Sequence, residues 1–180
     1  RSVTMEELAQ KFHNVPGAGC LVITGAGVSA ISALFAQPGT SRTILEVQVP
    51  YVRKALDEFV GTQADQHVSK SEATLIAESA LNRARYLAPD NLTQHLFGVG
   101  CTAAIATDRI RKGEDRAHVA WSDGMQKSGT SIWFDKDVRT RADEEQIIAA
   151  ILMNSIAAVL KIDDRLEINI LETERIDEFG

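Results

Sequence analysis

The stretch from Gly19 to Gly39 constrains the fold of this chain most strongly. It reads GCLVITGAGVSAISALFAQPG, an apolar run followed by a turn with two glycines and an alanine-rich segment that ends in Pro-Gly. A continuous apolar run of this length is typical of a strand that is covered on both faces, and the alanine-rich segment is typical of a helix. The stretch therefore predicts a strand and a helix joined by a glycine turn.

The same alternation of strand-like and helix-like segments continues along the chain. Two capping boxes, Thr4 with Glu7 and Ser69 with Glu72, predict helix starts, and Thr140 predicts the start of a last long helix. A further short helix is predicted over 51–61, and strands over 42–49, 96–107, 117–123 and 126–135. Strands interleaved with helices predict an α/β fold, a three-layer α/β/α sandwich on a mixed, mostly parallel sheet with an antiparallel hairpin.

Composition limits the classes of function. The formal net charge of −6 disfavours binding to nucleic acid or to an anionic membrane surface, and no apolar stretch is long enough for a membrane span, so we expect a cytoplasmic protein. Cys20 and Cys101 are far apart, and no spacing among His13, His67, His95 and His118 predicts metal ligands, so neither a metal nor a cofactor is expected. We predict a domain over residues 1–162, an acidic tail or linker over 163–180, a homo-oligomer, and a further domain in the full-length chain.

Two segments fit a ligand site, because open α/β sheets bind ligands beyond the carboxyl ends of their strands. They are Thr24-Gly25-Ala26-Gly27 and Gly98-Val99-Gly100-Cys101-Thr102. Glycines there let the backbone approach a ligand, although a tight turn alone also accounts for them. A basic cluster formed by Arg109, Arg111, Lys112 and Arg116 is either a solvated hairpin or a phosphate clamp.

The segment TGAGVSAISALFAQPGTSRTILE resembles the "SCTGG", helix, "GSS" element of the CinA carboxy-terminal domain family, the nicotinamide-nucleotide amidases. The motif falls on Thr24 to Val28 when the two sequences are registered on Pro38-Gly39-Thr40-Ser41. Further along, HVSKSEA resembles the family's "GAVSEE" helix start, and GVGCTAAIAT takes the place of its "SGIAGP" loop. The resemblance extends over roughly residues 4 to 161 and implies a CinA-like fold.

The resemblance also implies site residues. The family's nucleophilic serine falls on Thr24, its tyrosine falls on Tyr51, and its lysine falls on Leu56, with Lys54 near in sequence. A hydroxyl needs a neighbouring base to attack an amide, and N–H groups at a helix start stabilise the oxyanion. The predicted catalytic residues are Thr24, Tyr51 and Lys54. The predicted ligand-binding residues, for a phosphate-bearing nucleotide resembling nicotinamide mononucleotide, are Gly25, Ala26, Gly27, Thr40, Ser41, Thr102, Arg109 and Arg116.

Three classes of function follow from the pattern. The first is a degenerate relative of the amidases, in which the pocket binds a ligand or a partner without catalysis. The second is an active amidohydrolase that deamidates nicotinamide mononucleotide or a related carboxamide. The third is a structural domain with an empty pocket. The replacement of the family's lysine by Leu56 favours the first class.

Overall fold

The structure, a computed structural model, describes residues 2–88, 95–109 and 112–180. The strands in these segments are β1 (Ala18–Thr24), β2 (Ile44–Gln48), β3 (Leu96–Ala104), β4 (Arg116–Ser122), β5 (Lys127–Trp133) and β6 (Arg175–Phe179). The α-helices are α1 (Met5–Phe12), α2 (Ser29–Phe35), α3 (Arg53–Val60), α4 (Lys70–Leu87) and α5 (Arg141–Val159). The predicted helices and strands are thus confirmed, with ends shifted by a few residues.

All six strands belong to one mixed sheet, in the order β2-β1-β3-β4-β5-β6. Strand β1 pairs in parallel with both β2 and β3. The other half of the sheet, from β3 through β4 and β5 to β6, is antiparallel. The predicted α/β fold on a mixed sheet is confirmed, including the antiparallel hairpin formed by β4 and β5.

Helices cover both faces of the sheet, and the side chains of β1 show this directly. Leu21 and Ile23 pack into the core cluster that α1, α2 and α5 contribute to. Cys20 and Val22 point to the other face and pack into a second core cluster. Its other buried members are Leu56 of α3 and Ile76, Ala80 and Ala84 of α4. All seven residues of β1 are buried, as expected for a central strand with a layer of helices on each side. None of the helices in the described part of the chain is long and apolar enough to cross a bilayer.

Helix α4 lies unusually close to the centre of the sheet. Its buried face carries Ala73, Ala77, Ala80 and Ala84, which project little from the helix. A side chain at Gly98 or Gly100 of β3 would overlap the backbone of α4. These two glycines were considered as part of a ligand site, but in the structure they allow a helix to pack on a strand.

The acidic segment after Asp163 was expected to be a tail or a linker, yet it returns to the sheet. Arg175–Phe179 forms β6 and pairs with β5 from Gly129 to Trp133. Before it, the buried carboxylate of Glu174 accepts two hydrogen bonds from the guanidinium of Arg139, at 2.9 and 2.8 Å. Composition suggested a solvated segment because acidic residues are numerous, but strand pairing and this ion pair hold it to the domain.

Candidate functional site

The ends of β1 and β3 define one edge of the sheet, which we call the carboxyl edge. Because the two strands are parallel, Thr24 and Thr102 lie side by side there. Arg116 begins β4 at the same edge, where it pairs with Ala104. Helices α2 and α4 both start here, so the structure brings Thr24, Gly25 to Gly27, Thr102 and Arg116 to one region.

The glycine turn after β1 is closed by a carboxylate from α5. Glu145 accepts hydrogen bonds from the backbone N–H of Gly27 at 2.7 Å and from that of Ser29 at 3.1 Å. The Ser29 hydroxyl donates a third bond to the same side chain at 2.6 Å. These N–H groups are the donors that a phosphate or an oxyanion would need. In this structure the protein's own carboxylate holds them.

Thr40 and Ser41 do not join the carboxyl edge. Strand β2 starts beside Gly19, and the backbone N–H of Gly19 donates to the carbonyl of Thr43, so this turn lies where β1 begins. The Thr40 hydroxyl donates to the carbonyls of Leu34 and Gln37, and Ser41 is exposed. Thr24 is the last residue of β1, so this turn and Thr24 lie at opposite ends of that strand. The predicted ligand set is therefore split between opposite edges of the sheet.

Tyr51 and Lys54 lie at the start of α3 but do not assemble a catalytic group with Thr24. Both side chains are exposed, whereas Thr24 is buried. Among the described residues, no hydrogen bond joins Thr24 to Tyr51 or Lys54. Leu56, at the position of the family's lysine, is buried in the core beneath α4.

Thr102 and Arg116 both donate hydrogen bonds to the loop before α4. The buried Thr102 hydroxyl donates to the carbonyl of His67 at 2.7 Å. Arg116 donates from Nε to the carbonyl of Val68 at 3.3 Å and from Nη1 to that of Glu114 at 2.9 Å. Arg109 is exposed. Arg111, another member of the basic cluster, lies outside the described residues.

A groove of about 700 Å³ lies where α4 begins. Lys70 and Arg116 bring two cations to it, and Lys70 Nζ lies 5.8 Å from the ring centroid of Trp133. The hydroxyl residues Ser69 and Ser71 line it as well. Ser69 is the N-cap of α4, so the positive end of an 18-residue helix also faces this region.

The buried histidine His118 also lies beside the groove. Its ring is buried beside the groove, and Nδ1 lies 2.6 Å from the Ser131 hydroxyl. Burial, with a smaller contribution from the positive charges of Arg116 and Lys70, lowers the pKa of His118 to about 4. Because Glu114 is the one acidic residue among those that line the groove, Lys70 and Arg116 leave its lining with a net positive charge.

A second cluster on the 57–72 segment combines Asp57, His67 and Glu72. Asp57 Oδ1 lies 2.9 Å from His67 Nε2. One ligand atom from each of the three side chains lies within 4.8 Å of the other two. Glu72 is 2% exposed, and its Oε2 atom has no hydrogen-bond partner. Burial raises the pKa of Glu72, while His67 opposes this shift and Asp57 adds to it.

The sequence did not reveal this cluster. Its three residues belong to a helix, a loop and a second helix, so they match no short spacing motif. Glu72 was predicted to complete a capping box with Ser69. The Ser69 side chain does accept a bond from the Glu72 N–H, but the Glu72 carboxylate is buried near His67. Only that burial distinguishes it from an ordinary capping residue.

Comparison with known proteins identifies the fold. No protein-family model matches the sequence, and no curated protein matches it significantly. Among solved structures, competence/damage inducible protein CihA from Agrobacterium tumefaciens has 16% identity and a TM-score of 0.67, with 88% of this chain and 98% of that one covered. A competence or damage-inducible protein from Enterobacter asburiae has 15% identity and a TM-score of 0.67, covering 89% and 98%. A CinA superfamily protein from Escherichia coli has 18% identity and a TM-score of 0.62, covering 88% and 90%.

These similarities confirm the CinA-like fold that the first motif implied. The aligned regions span almost the whole of the three solved chains and most of this one. At such low identity the likeness concerns the arrangement of helices and strands.

Proposed function

We propose that this chain is a ligand-binding domain with a CinA-like fold, and that it binds a phosphate-bearing nucleotide without hydrolysing it through Thr24. The ligand's phosphate binds in the groove where α4 begins, and nicotinamide mononucleotide is the first ligand to test. The observation that carries this proposal is the placement of Lys70, Arg116 and the N-terminal end of α4 around one groove.

The electrostatics of the groove support phosphate as the recognised group. The ammonium of Lys70 and the guanidinium of Arg116 attract an anion, and the helix end adds a partial positive charge. Ser71 places a further hydroxyl beside the groove, while the Ser69 hydroxyl already donates to the carbonyl of Gln66. Because Arg116 already donates to two backbone carbonyls, its guanidinium is held in place beside the groove.

The surroundings of Thr24 argue against the alternative of an amidohydrolase. A hydroxyl is a weak nucleophile unless a neighbouring base accepts its proton. The predicted partners, Tyr51 and Lys54, are exposed and are not hydrogen-bonded to Thr24 among the residues that the structure describes. The N–H donors of the turn are occupied by Glu145, so an oxyanion at this position would compete with a carboxylate.

Calorimetry with nicotinamide mononucleotide and with inorganic phosphate tests the proposal. We expect nucleotide binding that Lys70→Gln weakens at least about tenfold, since that substitution removes a charge from the groove. Lys54→Gln is the matched control, because it removes the same charge from the predicted hydrolase site. Undiminished binding by Lys70→Gln, or no binding by the unaltered protein at millimolar ligand, would contradict the proposal.

Ammonia release distinguishes the binding domain from the amidase. We expect no release of ammonia from nicotinamide mononucleotide above background, and no change in Thr24→Ala. A clear rate in the unaltered protein that disappears in Thr24→Ala would instead establish Thr24 as the nucleophile and overturn this part of the proposal.

Homo-oligomeric assembly, a further domain in the full-length protein and a cytoplasmic location remain predictions. The first can be tested by light scattering after gel filtration, where a homo-oligomer would give a multiple of the 19.6 kDa chain mass. A mass of one chain at all concentrations would contradict it.

A further inference from the structure

The cluster of Asp57, His67 and Glu72 is not explained by the groove or by the turn after β1. Asp57 comes from α3, His67 from the following loop and Glu72 from the first turn of α4. Their ligand atoms converge within 4.8 Å, although they come from three different elements. Such convergence of one imidazole and two carboxylates needs a physical cause, because two carboxylates at close range repel each other.

Glu72 is the residue whose position is hardest to explain without a ligand. It is 2% exposed, and its Oε2 atom makes no hydrogen bond. A buried carboxylate oxygen without a partner is costly, since burial removes its hydration. No lysine or arginine forms an ion pair with Glu72 in the described part of the chain. A bound cation would supply the missing partner.

We propose that Asp57, His67 and Glu72 bind a divalent transition-metal ion of the zinc class. One nitrogen and two carboxylate oxygens are a donor set that suits zinc and related first-row ions, whereas an imidazole ligand disfavours magnesium and calcium. Three protein ligands are also the number found in zinc sites that leave one position open to water or substrate. The site is independent of the phosphate groove and of the function proposed for it.

The spacing of the ligand atoms agrees with such a site. In a tetrahedral site with metal–ligand bonds of about 2.1 Å, ligand atoms lie about 3.4 Å apart. His67 Nε2 and Asp57 Oδ1 are 2.9 Å apart, and all three ligand atoms lie within 4.8 Å of one another. The one measured separation is slightly shorter than this value, and the upper limit on the others is compatible with it.

The surrounding structure holds the ligands and leaves a route for the ion. The buried Thr102 hydroxyl fixes the backbone at His67, and the Ser69 cap fixes the first turn of α4 that carries Glu72. The side chains of His67 and Asp57 retain 15% and 22% of their exposure, so solvent reaches this side of the cluster. A metal ion bound at His67 Nε2 would replace the hydrogen bond to Asp57, and the neutral imidazole would then carry its single proton on Nδ1.

Zinc binding to chelator-treated full-chain protein tests the proposal. Calorimetry with Zn²⁺ alone should show one tight site per chain, and a thermal melt should shift to higher temperature with Zn²⁺ but not with Mg²⁺. Glu72→Gln should weaken zinc binding at least about tenfold, because it replaces an anionic ligand by a neutral one of the same size. Glu78→Gln is the matched control, since it makes the same change on a half-exposed part of α4, where Glu78 pairs with Lys127 and not with the cluster, and should leave zinc binding unchanged.

The stability of the metal-free variants separates a ligand from a structural residue. If Glu72 serves as a ligand, metal-free Glu72→Gln should be as stable as the unaltered protein or more stable, and should lose only the zinc-dependent shift. In the zinc measurements, the proposal would be overturned by the absence of a one-to-one zinc site in the unaltered protein, or by equal zinc affinity in Glu72→Gln and Glu78→Gln. A Co²⁺ complex whose visible absorption is unaffected by His67→Gln would also overturn it.

Discussion

The Glu145 carboxylate accepts a hydrogen bond from the backbone N–H of Gly27 at 2.7 Å, across 118 positions of sequence. It also holds the N–H and hydroxyl of Ser29, and the next residue back, Glu144, accepts a bond from the N–H of Ala106 at 2.7 Å. The N-terminal part of α5 thus holds the loops that follow β1 and β3. A carboxylate at this place is a built-in substitute for a bound anion.

Removing this carboxylate should destabilise the fold. We expect Glu145→Ala to lower the free energy of unfolding by about 2 kcal/mol, because it leaves partly buried N–H donors without their charged acceptor. Glu58→Ala, an exposed change on α3, should stay within about 0.5 kcal/mol. Urea unfolding midpoints measure both, and equal midpoints for the two variants would show that the Glu145 bonds contribute nothing.

Two glycines with nearly the same backbone conformation should respond very differently to alanine. Gly25 has φ of 90° and Gly61 has φ of 91°. A Cβ at Gly25 would overlap the carbonyl oxygen of Ala103, whereas a Cβ at Gly61 meets no atom within 4 Å. We expect Gly61→Ala to cost about 1 kcal/mol from backbone strain alone, and Gly25→Ala to cost at least about 2 kcal/mol more because the strands must shift. Thermal unfolding of both variants tests this, and similar losses would contradict it.

The ion pair between Arg139 and Glu174 should hold the last strand to the sheet. We expect Arg139→Met to destabilise the protein by about 3 kcal/mol and to expose the amides of β6 to hydrogen exchange, because it leaves a buried carboxylate without its cation. The control is Asp177→Asn, which removes an exposed ion pair with Arg175 and should cost less than about 1 kcal/mol. Protection of β6 that survives Arg139→Met would refute this role.

Stability should fall as the pH is lowered from about 6.5 to about 4. Burial lowers the pKa of His118 to about 4, so its neutral form is kept in the folded state while the unfolded chain takes up a proton below about 6.5. Above about pH 6.5 His118 therefore costs the folded state nothing. Between about pH 6.5 and pH 4 the free energy of unfolding falls progressively, by about 3 kcal/mol for this residue. The pKa of the buried His13 is also lowered by burial, so it adds to the same loss.

The variant His118→Gln measures how much of this pH-dependent loss of stability comes from His118 alone. The variant should show a shallower loss of stability between pH 6.5 and 4 than the unaltered protein, whatever its stability at pH 7. Urea midpoints at half-unit steps of pH measure the slope. Parallel slopes for the two proteins would show that His118 does not cause the effect.

Local sequence patterns predicted the helices and strands because their causes lie within a few residues. The Thr4 side chain and its capping box act over three positions, and so does Thr140 at the start of α5. The glycine turn after β1 and the end of α3 at Gly61 are likewise local, because they depend on glycine at those positions. Such patterns, with the alternation of strands and helices, were enough to predict an α/β sandwich and a CinA-like fold.

The sequence by itself therefore determined the helices and strands from α1 to α5 and their order, but not the last strand, β6. Only the tertiary structure decided that Thr40 lies at the opposite edge, that Glu145 occupies the turn's donors and that Glu72 is buried beside His67 and Asp57. These outcomes depend on contacts between residues far apart in the chain, and on desolvation that exists only once the layers have packed. A carboxylate at a helix start can be an exposed capping group or a buried ligand, and only its burial in the folded protein distinguishes these two roles.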